Sequence, residues 1–391
     1  MILNEDQKKA IEMACQKKFS LITGGAGTGK TTIIKQICQN INMDVRLCAP
    51  TGKAAARLRE ASGINASTIH SLLMLFQQGD KKFSKKLHKC AVIVDESSMV
   101  DSWLMSEIIQ SEPEKIILIG DSSQLFPVGY GAPFHDLIEI RPDIVTELKI
   151  CYRNKEAVNK ASNMIRIGEI PSNNMQSENE KWTFQQERNP ESVQEQIVEW
   201  VKSGVIDFDQ DIVIVPKNGN KNDEGAYQPC TVKGLNQAIM NAINPHRKKK
   251  FCVGDRVMCL KNFSAKDVWN GTTGKIKAIE HKGDIWVTTD TPVIDDQGDY
   301  TNEVLFDSEM RDNLTHAYAI TCHKSQGSQY RNVIFVALQR DKMMLERSLI
   351  YTAVTRTKKN CLIIGDNYAF SEGIKNRVER KTILKQLARQ K

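Results

Sequence analysis

The segment that most constrains the fold is Gly24-Gly25-Ala26-Gly27-Thr28-Gly29-Lys30-Thr31, followed by Thr32. It fits the pattern GxxxxGK[ST]. It follows the apolar run 19–23 and opens a stretch of helical spacing at about 30–41. A glycine-rich turn from a buried strand into a helix presents backbone N–H groups to an anion, and the helix N-terminus adds positive potential. In that setting Lys30 is placed for β- and γ-phosphates and the Thr31 hydroxyl for Mg²⁺.

Two further strand ends extend the reading. The apolar run 92–94 ends in Asp95-Glu96, and the run 116–119 ends in Gly120-Asp121-Ser122-Ser123-Gln124. Asp95 is suited to hold the metal, Glu96 to polarise an attacking water as a general base, and Asp121 or Gln124 to sense the γ-phosphate. The runs at 19–23, 45–49, 91–94 and 116–119 are short and apolar throughout, which predicts a parallel sheet covered by helices. Ligands of such sheets bind beyond the C-terminal strand ends, where all these residues fall. Together they predict an ATPase that uses ATP and Mg²⁺.

With 391 residues the chain is too long for one ordinary core. Its 40% apolar and 26% charged residues are the balance of a globular protein. The net charge of +7 fits a polyanionic partner. No apolar run reaches the ~20 residues of a membrane span, and the N-terminus has no apolar core of a secretory leader. The ten cysteines include no CxxC pair, and reduced thiols in a cytoplasmic protein are expected. Residues 171–186 read as a polar surface excursion. Buried-strand runs return at 212–215, 333–337 and 361–364, which indicates a second α/β half. The alternating texture at about 272–312 reads as a small all-β insert, and the basic run 246–250 as a solvated face.

The order of further segments is similar to the superfamily 1 helicases of the RecD and Dda type, from residue 3 to about residue 366. Leu3-Asn4-Glu5-Asp6-Gln7 resembles the Q motif, and Ala49-Pro50-Thr51-Gly52-Lys53 resembles motif Ia. Ser67-Thr68-Ile69-His70 resembles the motif that follows it. Residues 94–99 are similar to motif II and 118–128 to motif III. Tyr152-Arg153 resembles motif IV, Thr321-Cys322-His323-Lys324-Ser325-Gln326-Gly327 motif V, and Tyr351-Thr352-Ala353-Val354-Thr355-Arg356 motif VI. Two lesser blocks also match, from Gly234-Leu235-Asn236 to Asn244-Pro245 and at Gly254-Asp255-Arg256 with Asn270-Gly271.

The resemblance implies two RecA-like P-loop cores with the β insert in the second. The expected division is 1–148 for the first core, 149–275 with 313–391 for the second, and 276–312 for a barrel-like insert. It implies that Gln7 reads the adenine, that Gly327 lies at the nucleotide, and that Arg153 and Arg356 reach the γ-phosphate. Pro50, Thr51, Thr68, His70, Phe126, Thr321, His323 and Lys324 are the implied strand contacts. Thr68 has an alternative reading as a helix cap. Phe126 replaces the first of the family's two motif III prolines and could stack on a base or pack inside. Residues 76–89 correspond to the family's pin, with an ordinary surface hairpin as the alternative.

The implied activity is ATP-dependent 5′→3′ translocation on single-stranded DNA with unwinding of duplex at the junction. The expected form is a monomer in a bacterial or phage-infected cytoplasm, working beside replication or recombination proteins. Three alternatives stand beside it. They are an ATPase that remodels without unwinding, a motor subunit of a larger complex, and an enzyme of RNA rather than DNA.

Overall fold

The computed structural model describes residues 3–74, 77–78, 81–82, 86–151, 156–221, 225–295, 297 and 299–389. The chain divides into two units, Met1–Asn154 with Val378–Lys391 and Lys155–Arg377.

The first unit carries strands β1 (Phe19–Gly24), β2 (Asp44–Ala49), β3 (Ala66–Thr68), β4 (Gln77–Gln78), β5 (Lys81–Lys82), β6 (Cys90–Val94), β7 (Lys115–Gly120) and β8 (Val145–Leu148). Six of them form one sheet in the order β3-β2-β6-β7-β1-β8, with every pair parallel. Its helices are α1 (Glu5–Gln16), α2 (Lys30–Asn40), α3 (Gly52–Ser62), α4 (Ile69–Leu72), α5 (Ser102–Gln110) and α6 (Pro133–Ile140). The strands are apolar on both faces because both are covered. Ile22, Ile93 and Ile119 join α1 and α2 in one core, and Leu21, Val92 and Leu118 join α5 and α6 in the other. Truncating Ile93, which has no exposed surface, to alanine would cost about 3 kcal/mol.

The second unit is built on β9 (Asn174–Gln176), β10 (Lys181–Gln186), β11 (Asp211–Val215), β12 (Arg256–Cys259), β13 (Thr273–Ile279), β14 (Ile285–Ile294), β15 (Tyr300–Phe306), β16 (Leu314–His316), β17 (Ala319–Thr321), β18 (Tyr330–Ala337) and β19 (Thr357–Gly365). One sheet runs β17-β11-β18-β19-β10-β9, parallel except for β9. Helices α7 (Ala157–Ile167), α8 (Pro190–Lys202), α9 (Val232–Ile243), α10 (Ser308–Arg311), α11 (Cys322–Ser325), α12 (Arg347–Val354) and α13 (Asn367–Lys375) complete the unit.

Two expectations are corrected here. Residues 181–186 are not part of a surface excursion, because β10 pairs with β19 along its whole length and Trp182 is fully buried, whereas 172–179 do lie at the surface. Only alternate residues of β10 face the core, so its composition reads as polar. The β insert is also larger than 276–312. Five antiparallel strands run in the order β15-β14-β13-β12-β16, from Arg256 to His316, around their own core of Val257, Ile276, Val287 and Phe306. Among the described residues that sheet is open at β15 and β16.

The chain's end departs from the expected division as well. The last helix α14 (Ile383–Arg389) packs on α6, within the first unit.

Candidate nucleotide and nucleic-acid site

Strand order assembles the first half of the site. Because β7 lies between β1 and β6, the loop after β1, the carboxylates after β6 and the polar turn after β7 meet at one sheet edge. The loop runs from Gly24 to Gly29, where Gly27 and Gly29 take φ of 77° and 87°. Those left-handed conformations suit glycine alone and turn the chain into α2. Gly24 has no room for a side chain, since a Cβ there would stand 2.7 Å from Thr28 Oγ1. Lys30 Nζ donates to the carbonyls of Gly24 at 2.7 Å and Gly25 at 2.9 Å, and Thr28 Oγ1 donates to the Gly25 carbonyl at 2.9 Å. The ammonium therefore already sits inside the turn. Ala26, Thr31 and Thr32 continue the loop into the first turn of α2.

Asp95 and Glu96 follow β6. The Asp95 N–H donates to the Cys48 carbonyl at 2.9 Å, and Glu96 takes φ of 51°. A left-handed glutamate is uncommon and holds backbone strain of the kind found at functional sites. Burial, and next the Glu96 charge, push the Asp95 carboxyl up to about 6, against the pull of Lys30 and Arg57. Glu96 Oε2 and Gln124 Oε1 are both buried with no hydrogen-bond partner among the described residues. Two orphaned acceptors at one sheet edge invite donors from a ligand or a water. Asp121 is 1% exposed and accepts from the Ser123 N–H at 3.0 Å.

These residues fit Mg²⁺–nucleotide. No group of three or more His, Cys, Asp or Glu able to hold a metal exists among the described residues. The expected ligands are Thr31 and Asp95, and a magnesium site with two protein ligands would take its remaining oxygens from phosphates and water.

Gln7 binds the loop from outside. Its backbone N–H donates to Asn4 Oδ1 at 2.8 Å, its Oε1 accepts from the Asn4 N–H at 3.2 Å, and its Nε2 donates to the Thr28 carbonyl at 3.2 Å. The amide thus closes a capping box on α1 and fixes the phosphate loop at once.

The expected strand contacts fall into two groups. Thr51, Thr68 and Thr321 each end a strand or its turn, and each caps a helix, accepting from Ala54, Ser71 and Lys324 N–H at 3.2, 3.0 and 3.4 Å. The capping reading of Thr68 is therefore correct and extends to all three. In the first unit, β2 and β3 continue the edge beyond β6, so Pro50, Thr51 and Thr68 lie along the same sheet edge as Asp95. His70 is exposed, with its ring 5.9 Å from that of Trp103. Phe126 is half-buried and its ring packs 4.5 Å from that of His135.

In the second unit Thr321, His323, Lys324 and Gly327 surround α11, and Lys324 Nζ donates to Asn270 Oδ1 of the β insert. Burial holds the Lys324 ammonium below its ordinary pKa. Asn236 supports this region by accepting from the Tyr318 and Ala319 N–H groups at 2.8 and 3.0 Å and donating to the Ala319 carbonyl at 2.8 Å. Arg356 is 3% exposed and donates to the Thr352 and Ser328 carbonyls and to Thr355 Oγ1. Arg153, with Tyr152, lies outside the described residues. So do Phe76, Gly79, Asp80 and Phe83 of the expected pin, of which the antiparallel pair β4–β5 is described.

Sequence reasoning passed over Arg57, whose charge reaches Asp95. It also passed over Tyr130, which is 93% exposed just after motif III, next to Val128 at that motif's end, 83% exposed. Neither carries a motif signature of its own.

Residues 2–186 match the family model described as an AAA domain, and residues 316–364 match the UvrD-like helicase C-terminal domain. The chain is 29% identical over 401 residues to the ATP-dependent RecD2 DNA helicase of Deinococcus radiodurans, with 98% of this chain and 52% of that protein covered. It is 26% identical over 430 residues to the RecBCD enzyme subunit RecD of Mycolicibacterium smegmatis, covering 98% and 75%. It thus spans about half the length of the first relative and three quarters of the second.

A structure of Bacteroides Pif1 bound to single-stranded DNA shares the fold, with a TM-score of 0.55, 20% identity, and 100% of this chain and 97% of that one covered. A structure of two coordinating Pif1 helicases at forked DNA gives a TM-score of 0.57 at 22% identity, covering 97% and 95%. No helix of the described residues is long and apolar enough to cross a membrane. With its phosphate loop, its acidic strand end and its helicase C-terminal segment in one order, the chain is similar in sequence to the RecD-type helicases and in fold to Pif1.

Proposed function

We propose that this protein hydrolyses Mg²⁺–ATP to translocate 5′→3′ on single-stranded DNA and to unwind duplex ahead of it. The observation that carries the reading is the convergence of Lys30, Asp95, Glu96 and Gln124 at one sheet edge, with two orphaned buried acceptors among them. RecD2, described as an ATP-dependent DNA helicase, and Pif1, solved with single-stranded DNA, favour DNA and a helicase activity.

In this reading Lys30 exchanges its two loop carbonyls for phosphate oxygens, a swap between acceptors of the same reach. Thr31 and Asp95 would hold Mg²⁺, which would supply charge neutralisation for the nucleotide phosphates. Glu96 orients and deprotonates the attacking water, and Gln124 donates its amide N–H to a γ-phosphate oxygen from the adjacent strand end. Gln7 ties the adenine side to the loop carbonyl it already holds. Arg153 and Arg356 are the family's γ-phosphate arginines. For Arg356 that role requires giving up its three local hydrogen bonds.

Pro50, Thr51, Thr68 and His70 from the first unit, and Thr321, His323 and Lys324 from the second, hold backbone phosphates without reading bases. Phe126 supports from its His135 packing instead of stacking freely on a base. The segment 76–89, of which the antiparallel pair β4–β5 is described, is the pin that meets the duplex. The protein acts as a monomer in the cytoplasm on single strands and junctions, with replication or recombination proteins as partners.

The test is unwinding of two partial duplexes, one with a 5′ tail and one with a 3′ tail, with and without ATP. Unwinding of the 5′-tailed duplex alone, and only with ATP, is expected. Opening of the 3′-tailed duplex instead keeps the motor and reverses the polarity. Single-strand-stimulated ATPase without unwinding of either makes the chain a motor that depends on a partner.

A further inference from the structure

We infer that Arg380, in the segment after the second unit, is a positioning residue for the motif III loop and thereby for Gln124. The inference rests on the ATPase reading above. Its basis is a set of contacts within the first unit. Arg380 Nη1 donates to the Pro127 carbonyl at 2.7 Å and to the Gly131 carbonyl at 2.9 Å. One charged nitrogen therefore closes both ends of the five-residue loop that follows Gln124-Leu125-Phe126, and charge-assisted bonds of this kind are the strong ones.

The loop's other anchors are local. The Ser102 N–H donates to the Tyr130 carbonyl at 2.9 Å. Gly131, at φ of 78°, lies so close to Ser102 that a Cβ would stand 1.8 Å from its Oγ, and at Gly129 a Cβ would stand 2.0 Å from Asp101 Oδ2. The loop is thus pressed against the start of α5 on one side and drawn together by Arg380 on the other. It presents Val128 and Tyr130 almost fully to solvent.

The segment that carries Arg380 is itself fixed. Lys385 Nζ stands 2.6 Å from Glu139 Oε1 and 4.0 Å from Asp136 Oδ1, and Thr382 is 6% exposed. Both acids belong to α6, whose His135 carries the Phe126 ring. From Pro127 to Gly131, then, the path of the loop is set by a clamp that arrives from the far end of the sequence. Gln124, with its buried Oε1 lacking a partner among the described residues, lies three residues before that loop, joined to it through the Phe126 ring held on His135. Without the clamp the loop keeps its contact to α5 but loses the tie across its ends, and the Gln124 amide loses its defined place.

The experiment compares the parent with R380A and R380K by steady-state ATPase at saturating single-stranded DNA, together with thermal melting. R380A is expected to lower kcat by about tenfold while KM for ATP changes by less than about twofold, because a group that acts on the transition state is displaced and nucleotide binding is not. R380K keeps a charged donor able to reach both carbonyls and is expected to recover at least about a third of kcat. A general loss of fold would lower melting and raise KM together, and R380K would not correct it. Parent-like kcat in R380A overturns the inference. Equal loss in R380A and R380K, with melting unchanged, overturns it too. If R380A does not fold, R380Q, which keeps side-chain length and removes the charge, takes its place: parent-like KM with kcat lowered below that of R380K supports the clamp, and parent-like kcat contradicts it. A parent chain with no ATPase at all rejects the ATPase reading itself, and the inference falls with it.

Discussion

Two groups of buried carboxylates show what different parts of this molecule are built to do. Asp255, 2% exposed in the second unit, accepts from Arg247 at 3.1 and 2.9 Å, from the Cys252 N–H at 2.8 Å, from His316 at 3.1 Å and from the Tyr318 hydroxyl at 3.0 Å. Burial would raise its pKa, but the donors from His316 and Arg247 outweigh it and hold the carboxyl well below the usual carboxylate range. Asp95 and Glu96 in the first unit are the reverse. Burial and mutual repulsion push Asp95 up to about 6, and Glu96 keeps an oxygen without a partner. The same chemical group is satisfied where it joins the β insert to its core and left wanting where the proposed mechanism places a cation and a water. Unsatisfied charge costs stability, and a functional site is where that cost is tolerated.

The comparison can be broken first at the loop. Lys30→Ala should abolish ATP turnover at any accessible ATP concentration, a loss of at least about 10³-fold, because it removes the one ammonium inside the turn. Melting of the variant should stay near that of the parent. Measurable turnover above a hundredth of the parent rate would mean that the turn is not the phosphate site.

Asp255→Ala should act on the fold instead. Removing one member of a buried, fully bonded group leaves Arg247 without its carboxylate and costs about 3–5 kcal/mol, read as a lower denaturant midpoint. The parent's share of this stability is present above the unfolded carboxylate pKa of about 4 and is lost as pH falls below it, since the folded pKa is depressed. A variant as stable as the parent at pH 7 would remove Asp255 from the satisfied side of the comparison.

The smallest effect carries the opposite sign. The folded Asp95 pKa is raised, so ionising it costs stability that is absent below about pH 4 and grows as pH rises to about 6. Asp95→Asn, measured with a chelator present, should therefore melt higher than the parent at pH 8, by an amount on the order of 2 kcal/mol, and not at pH 4. A difference that does not change with pH would show that charge is not the cause.

Much of the first unit was readable from its residues because both signals there are local. Buried parallel strands are continuous apolar runs, and the phosphate loop needs glycines and a lysine at fixed offsets. What the sequence concealed depends on distant pairing. β10 is polar in every second position and becomes a buried strand only through its pairing with β19. The β insert begins at Arg256 because β12 pairs with β13 and β16, some 20 and 60 residues onward. Arg380 has no motif around it, and its meaning comes only from the two carbonyls it meets about 250 residues back. The three threonines expected along the strand cap helices, and that role is equally local. The burial of Arg356 and its three local acceptors could not be read from the sequence.

The most direct test of the central claim is ATP binding and turnover in Glu96→Gln with Mg²⁺ and single-stranded DNA present. Glutamine keeps the shape and removes the base, so ATP affinity within about threefold of the parent and turnover reduced by about 10²–10⁴-fold are expected. Near-normal turnover with unchanged affinity would contradict the account, because the orphaned carboxylate at this sheet edge would then have no part in the chemistry.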